Sequence, residues 1–299
     1  MDTPPAEVSV DAALVTRLIA AQHPALLGPV SWLSSGWDNE LFRLGDDHVV
    51  RMPRRALAVP LIEHEQRWLP ELQKLVEVPI PVPIAVGLPS DDYAWPWSIA
   101  RWLDGEPVAN RPVRDRGALA EPLAAFVVDL HAPAPAGAPV NPVRGTALAV
   151  RDDAVRARLS SGSIPHADEL LTVWEGALAA PVYAGPPIWM HGDLHPINVL
   201  ADASGGLAAV LDFGDLGGAD PACDLAAAWL FFDASQRAAF RARIGTGGPH
   251  DAAAWERARG WVVALATAFL RNSADAPVLD APVLDAIGRH AVEQLVTDL

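Results

Sequence analysis

Three polar side chains in the second half of the chain have the types and spacing to do chemistry together. Asp193 and Asn198 lie five residues apart in Trp189-Met190-His191-Gly192-Asp193-Leu194-His195-Pro196-Ile197-Asn198, and Asp212 closes a hydrophobic run in Val210-Leu211-Asp212-Phe213-Gly214. A carboxylate such as Asp193 can orient a hydroxyl and take its proton. Asn198 and Asp212 offer hard oxygen donors of the kind that suit Mg²⁺. Moving a γ-phosphoryl group onto a hydroxyl needs those parts: an acceptor held in line, and cations over the phosphate charge. A single Asp here would read as an acidic turn or a helix cap. Three such groups, with Gly192 and Gly214 beside the carboxylates, make the chemical reading the stronger one.

The spacing from Asp193 to Asn198 is that of the protein-kinase loop H-R-D-x-x-x-x-N, which is likewise followed by D-F-G. Gly192 stands where that loop has arginine. A rival reading takes His191 and His195 as metal ligands of a hydrolase. Gly192 and Pro196 would break any helix that put them on one face, and neither a cysteine nor a third histidine stands nearby. His191 reads better as a brace for the loop.

Such a loop needs a nucleotide-holding body upstream. Residues 8–22 have helical spacing after Ser9 and Asp11, and His23-Pro24 ends them. Val30–Leu33, Glu40–Leu44 and His48–Met52 read as three strands of an antiparallel meander, with turns at residues 34–39 and 45–47. Pro60 to Leu75 reads as a helix, with Pro70 a kink or restart. Val78 to Ile84 reads as a Pro-rich strand and residues 94–103 as another, so a five-stranded sheet with one helix fits residues 30–103. In a kinase-like body the first turn, with Ser35 and Gly36, would lie over the nucleotide phosphates. The third strand would carry the cation that grips them, and Arg51 is its only interior basic residue; Lys74, the only lysine among 22 basic residues, lies too far along. Arg can contact phosphate through two N–H groups. Alternatively Arg51 lies on a solvent-facing edge with Arg54 and Arg55. Glu63 and Glu65 are both placed to pair with it, and Glu65 is preferred because Leu69 and Leu72 follow on the adjoining helical face.

Asp104-Gly105-Glu106-Pro107 breaks the last strand and gives a natural hinge. The expected division is a nucleotide-binding lobe, residues 1–103, and a catalytic and substrate-binding lobe, residues 104–299. Beyond the hinge, helices are expected at 119–131, 152–159, 167–178, 224–232, 235–244, 252–270 and 278–295, with an Ala/Pro/Gly-rich linker over 132–143. The fold class is therefore α+β.

Composition narrows the partners. The 299 residues carry a net charge of −15, which argues against a nucleic-acid substrate. It favours a neutral or cationic partner, although solubility alone would explain it. No apolar run reaches membrane-spanning length. The start of the sequence lacks a basic segment followed by an apolar one. A single cysteine, Cys223, excludes an internal disulfide, and a cytoplasmic setting is expected.

The motifs His191-Gly192-Asp193-Leu194-His195-Pro196-Ile197-Asn198, Leu211-Asp212-Phe213-Gly214-Asp215 and Gly218-Ala219-Asp220-Pro221-Ala222-Cys223-Asp224-Leu225 resemble those of the aminoglycoside phosphotransferase family. That family includes macrolide phosphotransferases and has choline and homoserine kinases as relatives. Ser35-Gly36-Trp37-Asp38-Asn39, Val50-Arg51-Met52, Glu65 and Asp129-Leu130-His131 fall in the same order, so the resemblance covers nearly the whole chain. It implies a bilobed protein-kinase-like fold with a mainly helical second lobe. It implies ATP or GTP as donor with Mg²⁺, Asp193 as base, and Asn198 and Asp212 as metal ligands. Arg101, Trp102 and Leu103 would offer backbone groups to the purine, and Asp220 and Asp224 would brace the loop. Arg51 departs from the lysine of many members. The acceptor implied is a small-molecule hydroxyl of an aminoglycoside, macrolide or similar amino-sugar compound. A metabolic kinase of the choline or homoserine kind and a kinase-shaped pseudoenzyme are the alternatives. The 11 tryptophans suit an apolar acceptor, but their positions on strands and helices read as packing.

Overall fold

The computed structural model describes residues 5–275 and 281–299. The chain divides into two compact units. One holds residues 5–104 with Val210–Gly214, and the other holds Gly105–Ala209 with Asp215–Leu299.

In the first unit, α1 (Ala12–Gln22) is capped by Asp11, whose carboxylate accepts the Leu14 N–H at 2.7 Å. The strands β1 (Val30–Ser35), β2 (Asn39–Leu44), β3 (His48–Pro53), β4 (Pro83–Gly87) and β5 (Trp97–Arg101) form one antiparallel sheet in the order β1-β2-β3-β5-β4. Period-two alternation sends Phe42, Leu44, Val50, Met52 and Ile99 into a core shared with Leu14, Val15, Leu18 and Ile19 of α1. Arg51, between Val50 and Met52, therefore faces the opposite side of the sheet. There it meets α2 (Val59–Leu72), whose Gln66 amide donates to the Trp97 carbonyl and the Ser98 hydroxyl.

Several expected boundaries move. Ser34 and Ser35 belong to β1, not to the turn. The Pro-rich strand forms only from Pro83, because Pro79 and Pro81 lack the N–H a ladder needs, and it lies at the sheet edge where Pro is tolerated. Pro70 does not interrupt α2: it sits exposed in the last turn.

The second unit is mainly helical. It contains β6 (Glu106–Pro107), α3 (Ala120–Leu130), α4 (Asp152–Leu159), α5 (Ala167–Ala179), β7 (Ile188–Met190), β8 (Val199–Ala201), β9 (Leu207–Val210), β10 (Gly217–Ala219), α6 (Ala222–Leu225), α7 (Ala227–Phe231), α8 (Ala234–Ile244), α9 (Ala252–Asp275) and α10 (Ala281–Thr297). The last residue of β9, Val210, groups with the first unit. The helix expected over 224–232 is two short ones, and residues 278–280 of the last expected helix lie outside the described residues. Trp174, Trp229, Trp255 and Trp261 are buried core, as their helical placement implied. Among the described residues no helix is long and apolar enough to cross a membrane.

Residues 132–143 are more than a linker. Ala132 accepts from the Trp189 N–H (2.9 Å), Ala134 donates to the Pro187 carbonyl (2.8 Å), and Pro139 accepts from Gly218 (2.9 Å). The segment is thus laced to β7 and β10, the paired strands beside the Asp193 loop.

Candidate active site

β7, paired antiparallel with β10, is fully buried and ends at Met190, so its hydrophobic residues hold the following turn in place. In that turn Gly192 has φ +84°, and a Cβ there would lie 2.4 Å from the Asp215 carbonyl oxygen. Glycine is therefore required where protein kinases carry arginine. Buried Asp224 accepts the His191 N–H at 2.6 Å and the Gly192 N–H at 2.8 Å. His131 donates from Nε2 to Asp224 (3.3 Å), which leaves its Nδ1 to accept from His250 Nε2 at 2.8 Å. Burial pushes the Asp224 carboxyl up, but His131 and the loop N–H groups hold it below its ordinary value. Asp220 makes a two-point pair with Arg257, at 2.7 and 3.1 Å.

This bracing presents Asp193 with about a fifth of its side chain exposed. Its N–H donates to His191 Nδ1 at 3.2 Å, and its Oδ1 accepts from Arg144 at 2.9 Å. The Ile197 N–H donates to His195 Nδ1, so the ring proton lies on Nε2, 3.2 Å from Asp193 Oδ2. Burial would raise the Asp193 carboxyl, but His195 and Arg144 outweigh it and hold the group well below the usual carboxylate range. Asp193 is thus a charged acceptor ready to orient a hydroxyl. The Asn198 amide donates to the Asp193 carbonyl at 3.0 Å, which turns its own oxygen into a donor for an incoming cation.

In the first unit, Arg51 pairs with Glu65 at 2.9 Å and with Asp212 at 3.6 Å. β3 is an interior strand and Arg51 is largely enclosed, so the solvent-edge reading fails. Glu65 is buried and Glu63 exposed, which decides between them. Burial pushes Glu65 up to about 7 against the pull of Arg51. Arg54 and Arg55 are engaged elsewhere: Arg55 reaches Asp38 at 2.6 Å, and Arg54 donates to the Ser35 hydroxyl (2.6 Å) and the Gly36 carbonyl (2.9 Å). Asp212 has φ +58°, rare for a residue with a side chain, and its carboxylate is more than half exposed. Among the described residues Lys74 pairs only with Glu71, at the surface.

The other expected nucleotide contacts are less free. The Ser35 hydroxyl also donates to Glu40 (2.7 Å), and the Gly36 N–H is spent on the Asn39 carbonyl (2.9 Å). The Trp102 N–H is taken by the Asp47 carbonyl at 2.7 Å, and its ring lies 3.7 Å under the Arg43 guanidinium. Arg101 is the exposed end of β5, and Leu103 follows half-buried. Asn198 and Asp212 are oxygen donors fit for Mg²⁺. Among the described residues no group of three or more His, Cys, Asp or Glu is placed to hold a metal ion, and His191 and His195 are committed to the loop.

The residues not foreseen are Arg144, Asn141, Asp215 and His250. Arg144 spans Asp193 and Asp215 (3.4 Å), and the Asn141 amide holds Asp215 at 2.8 Å. They sit in irregular segments where no periodicity marks them.

The sequence profile of the phosphotransferase enzyme family (APH) matches residues 30–261. The chain belongs to this family. It is accordingly a phosphotransferase, with the kinase-like α+β fold of its structural neighbours. No curated protein sequence matches it. The GDP complex of wild-type aminoglycoside 2'-phosphotransferase-IIIa aligns with TM-score 0.70 and 22% identity, over 97% of this chain and 100% of that one. The GDP and kanamycin complex of APH(2")-IIia aligns at 0.66 and 23%, over 95% and 97%. Macrolide 2'-phosphotransferase MphH from Brachybacterium faecium aligns at 0.60 and 20%, over 94% and 97%.

Proposed function

We propose that this phosphotransferase moves the γ-phosphoryl group of ATP or GTP onto a hydroxyl of a small molecule. The observation that carries this reading is Asp193: charged, held by Arg144 and His195, and followed at kinase spacing by Asn198. Asp193 holds the acceptor hydroxyl in line. As the oxygen bonds to the γ-phosphorus, the bond from that phosphorus to the bridging oxygen breaks. The nucleoside diphosphate leaves with those electrons, and the hydroxyl proton passes to Asp193. So weak a base takes the proton late, which suits a loose transition state in which positioning outweighs deprotonation. Arg51, fixed by Glu65, would contact the α- and β-phosphates. Asn198 and Asp212 would hold Mg²⁺, which supplies charge neutralisation when bound.

Aminoglycosides, macrolides and related amino-sugar compounds are the first acceptor class, supported by the family, by the neighbours solved with kanamycin, streptomycin and gentamicin, and by the net charge of −15. A metabolic kinase of the choline or homoserine kind is the second class. The test is a nucleotide-consumption screen of the purified protein across aminoglycosides, macrolides, choline and amino sugars, with ATP and GTP in parallel. Acceptor-dependent turnover lost in Asp193→Ala is expected. Nucleotide binding with no turnover, unaltered by that substitution, would make the protein a kinase-shaped binding module.

A further inference from the structure

His250 lies outside every motif of the sequence, yet it ends a buried chain of contacts that begins at the Asp193 loop. Asp224 Oδ2 accepts the His191 N–H (2.6 Å) and the His131 Nε2–H (3.3 Å), and its Oδ1 accepts the Gly192 N–H (2.8 Å). His131 Nδ1 lies 2.8 Å from His250 Nε2. The side chains of His131 and Asp224 are wholly enclosed, and His250 is only 6% exposed. Packing alone does not account for the two rings: they are tilted by 38°, and a nitrogen of each stands at hydrogen-bond distance from the other.

The protons of this chain have one consistent placement. Against the effect of burial, His131 and the loop amides hold the Asp224 carboxyl below its ordinary value. It is therefore charged and can only accept, so His131 Nε2 carries a proton. Burial, then the charge of His131, lowers His250 to about 4, which leaves its ring neutral with one N–H to give. In a neutral imidazole the bond made at one nitrogen selects where the proton sits on the other. His250 Nε2–H, donating to His131 Nδ1, keeps the His131 proton on Nε2, facing Asp224. The opposite tautomer would turn a bare lone pair toward a buried carboxylate and deprive it of a donor.

The backbone fixes His250 in that place. It ends the short turn Gly248–His250, and its N–H donates to the Gly247 carbonyl at 3.2 Å. The next residue, Asp251, caps α9 by accepting the Ala254 N–H at 2.8 Å. Farther along α9, Arg257 holds Asp220, just before α6, while Asp224 lies within α6. The beginning of α9 thus supports both aspartates behind the loop.

We infer that His250 is a positioning residue for phosphoryl transfer: by fixing the His131 tautomer it completes the hold of Asp224 on the His191 and Gly192 amides, and so orients Asp193, the next residue. This rests on the reading of Asp193 as the base.

The experiment combines nitrogen NMR of the histidine rings, hydrogen exchange at the Gly192 amide, and hydrolysis of ATP and of GTP with Mg²⁺, in which water takes the γ-phosphoryl group. Two variants of the full chain are compared. The amide nitrogen of His250→Gln reaches the place of Nε2, and that of His250→Asn falls short of it. In the wild type, His131 should be protonated on Nε2 alone. His250→Gln should keep that tautomer and the wild-type kcat. His250→Asn should lose the tautomer and speed Gly192 exchange. Its kcat should fall by roughly tenfold, the worth of one net hydrogen bond, with KM for nucleotide unchanged. A His131 protonated on Nδ1 or on both nitrogens in the wild type would overturn the inference. So would wild-type kcat and Gly192 exchange in His250→Asn, or equal impairment of the two variants. Should neither variant fold, the wild-type tautomer decides. Failure of the kinase reading shows separately, as no hydrolysis by the wild type or as hydrolysis unchanged in Asp193→Ala, and leaves the tautomer and exchange measurements standing.

Discussion

Each unit of this chain places one arginine between two carboxylates. In the first unit Arg51 spans Glu65 and Asp212; in the second Arg144 spans Asp193 and Asp215, at closely similar distances. The carriers differ. Arg51 projects from an interior strand and Glu65 from a helix packed on the same sheet face, so the pair is set by regular elements. Arg144 projects from an irregular segment, and its partners lie on turns held by Gly192, Asn141 and Asp224. The first cluster leaves its outer carboxylate, Asp212, more than half exposed, as befits a cation ligand. The second keeps Asp193 sheltered and charged, as the proposed base requires. On the function proposed above, the same ionic triad would serve phosphate grip in one setting and acceptor orientation in the other.

Breaking the second triad at Asp193→Ala should have the largest effect. Acceptor-dependent turnover should fall by about 10² to 10⁴-fold, with nucleotide affinity nearly unchanged in a fluorescence titration. Retained turnover would remove Asp193 from its role. In the first triad, Arg51→Ala leaves Glu65 buried and unpaired. Denaturant unfolding should report a loss of about 3–5 kcal/mol, whereas Glu65→Gln should cost less because it removes the buried charge. Equal losses would show that packing, not charge, is what the pair supplies. Asp212→Ala should abolish Mg²⁺-dependent nucleotide binding with little change in stability, since its side chain is exposed. In the second triad, Asn141→Ala removes the amide that fixes Asp215 and the Arg144 turn. It should cost about 1–3 kcal/mol and lower kcat more than it raises KM for nucleotide; a KM effect alone would contradict the scaffold role.

The smallest effect concerns pH. Burial, then the charge of His131, lowers His250 to about 4; burial, then Arg116, lowers His290 to about 4. Unfolded histidines take protons from near 6.5, so their contribution to stability is complete above that value and is lost as pH falls toward 4. Glu65, raised to about 7, works the other way: its folded form binds a proton that the unfolded form releases above about 4.5. Two histidines against one carboxylate should give a lower Tm at pH 5 than at pH 7. His250→Gln should flatten that slope; an unaltered slope would show that this histidine is not the one titrating.

Regular elements were legible and irregular ones were not. The turns that bound the third strand left Arg51 as its basic residue, and the helical face of Leu69 and Leu72 pointed to Glu65, because both are signals that a sequence carries locally. Asp193, Asn198 and Asp212 stood out by type and spacing alone, and the structure joins the first two by a 3.0 Å hydrogen bond. Arg144 was not. Its position depends on Asn141 closing a turn and on Gly145 reaching Met190, contacts between residues far apart in sequence with no repeating pattern. The Pro-rich strand begins only at Pro83, later than its extended composition suggested, because Pro79 and Pro81 offer no N–H to a ladder. Ser35 and Gly36 have the right types for phosphate binding, but Arg54 and Glu40, both outside the turn, take up the serine hydroxyl and the glycine carbonyl.

The first unit is not a contiguous piece of the chain. Val210–Gly214 belongs with residues 5–104, and Val210 donates to the Pro79 carbonyl at 3.1 Å. A gene fragment ending at Asp104 would encode Arg51 and Glu65 but lack the carboxylate that completes their cluster. The two units therefore cannot be exchanged between family members by a single crossover. A chimaera that respects the unit needs two further junctions, one before Val210 and one after Gly214.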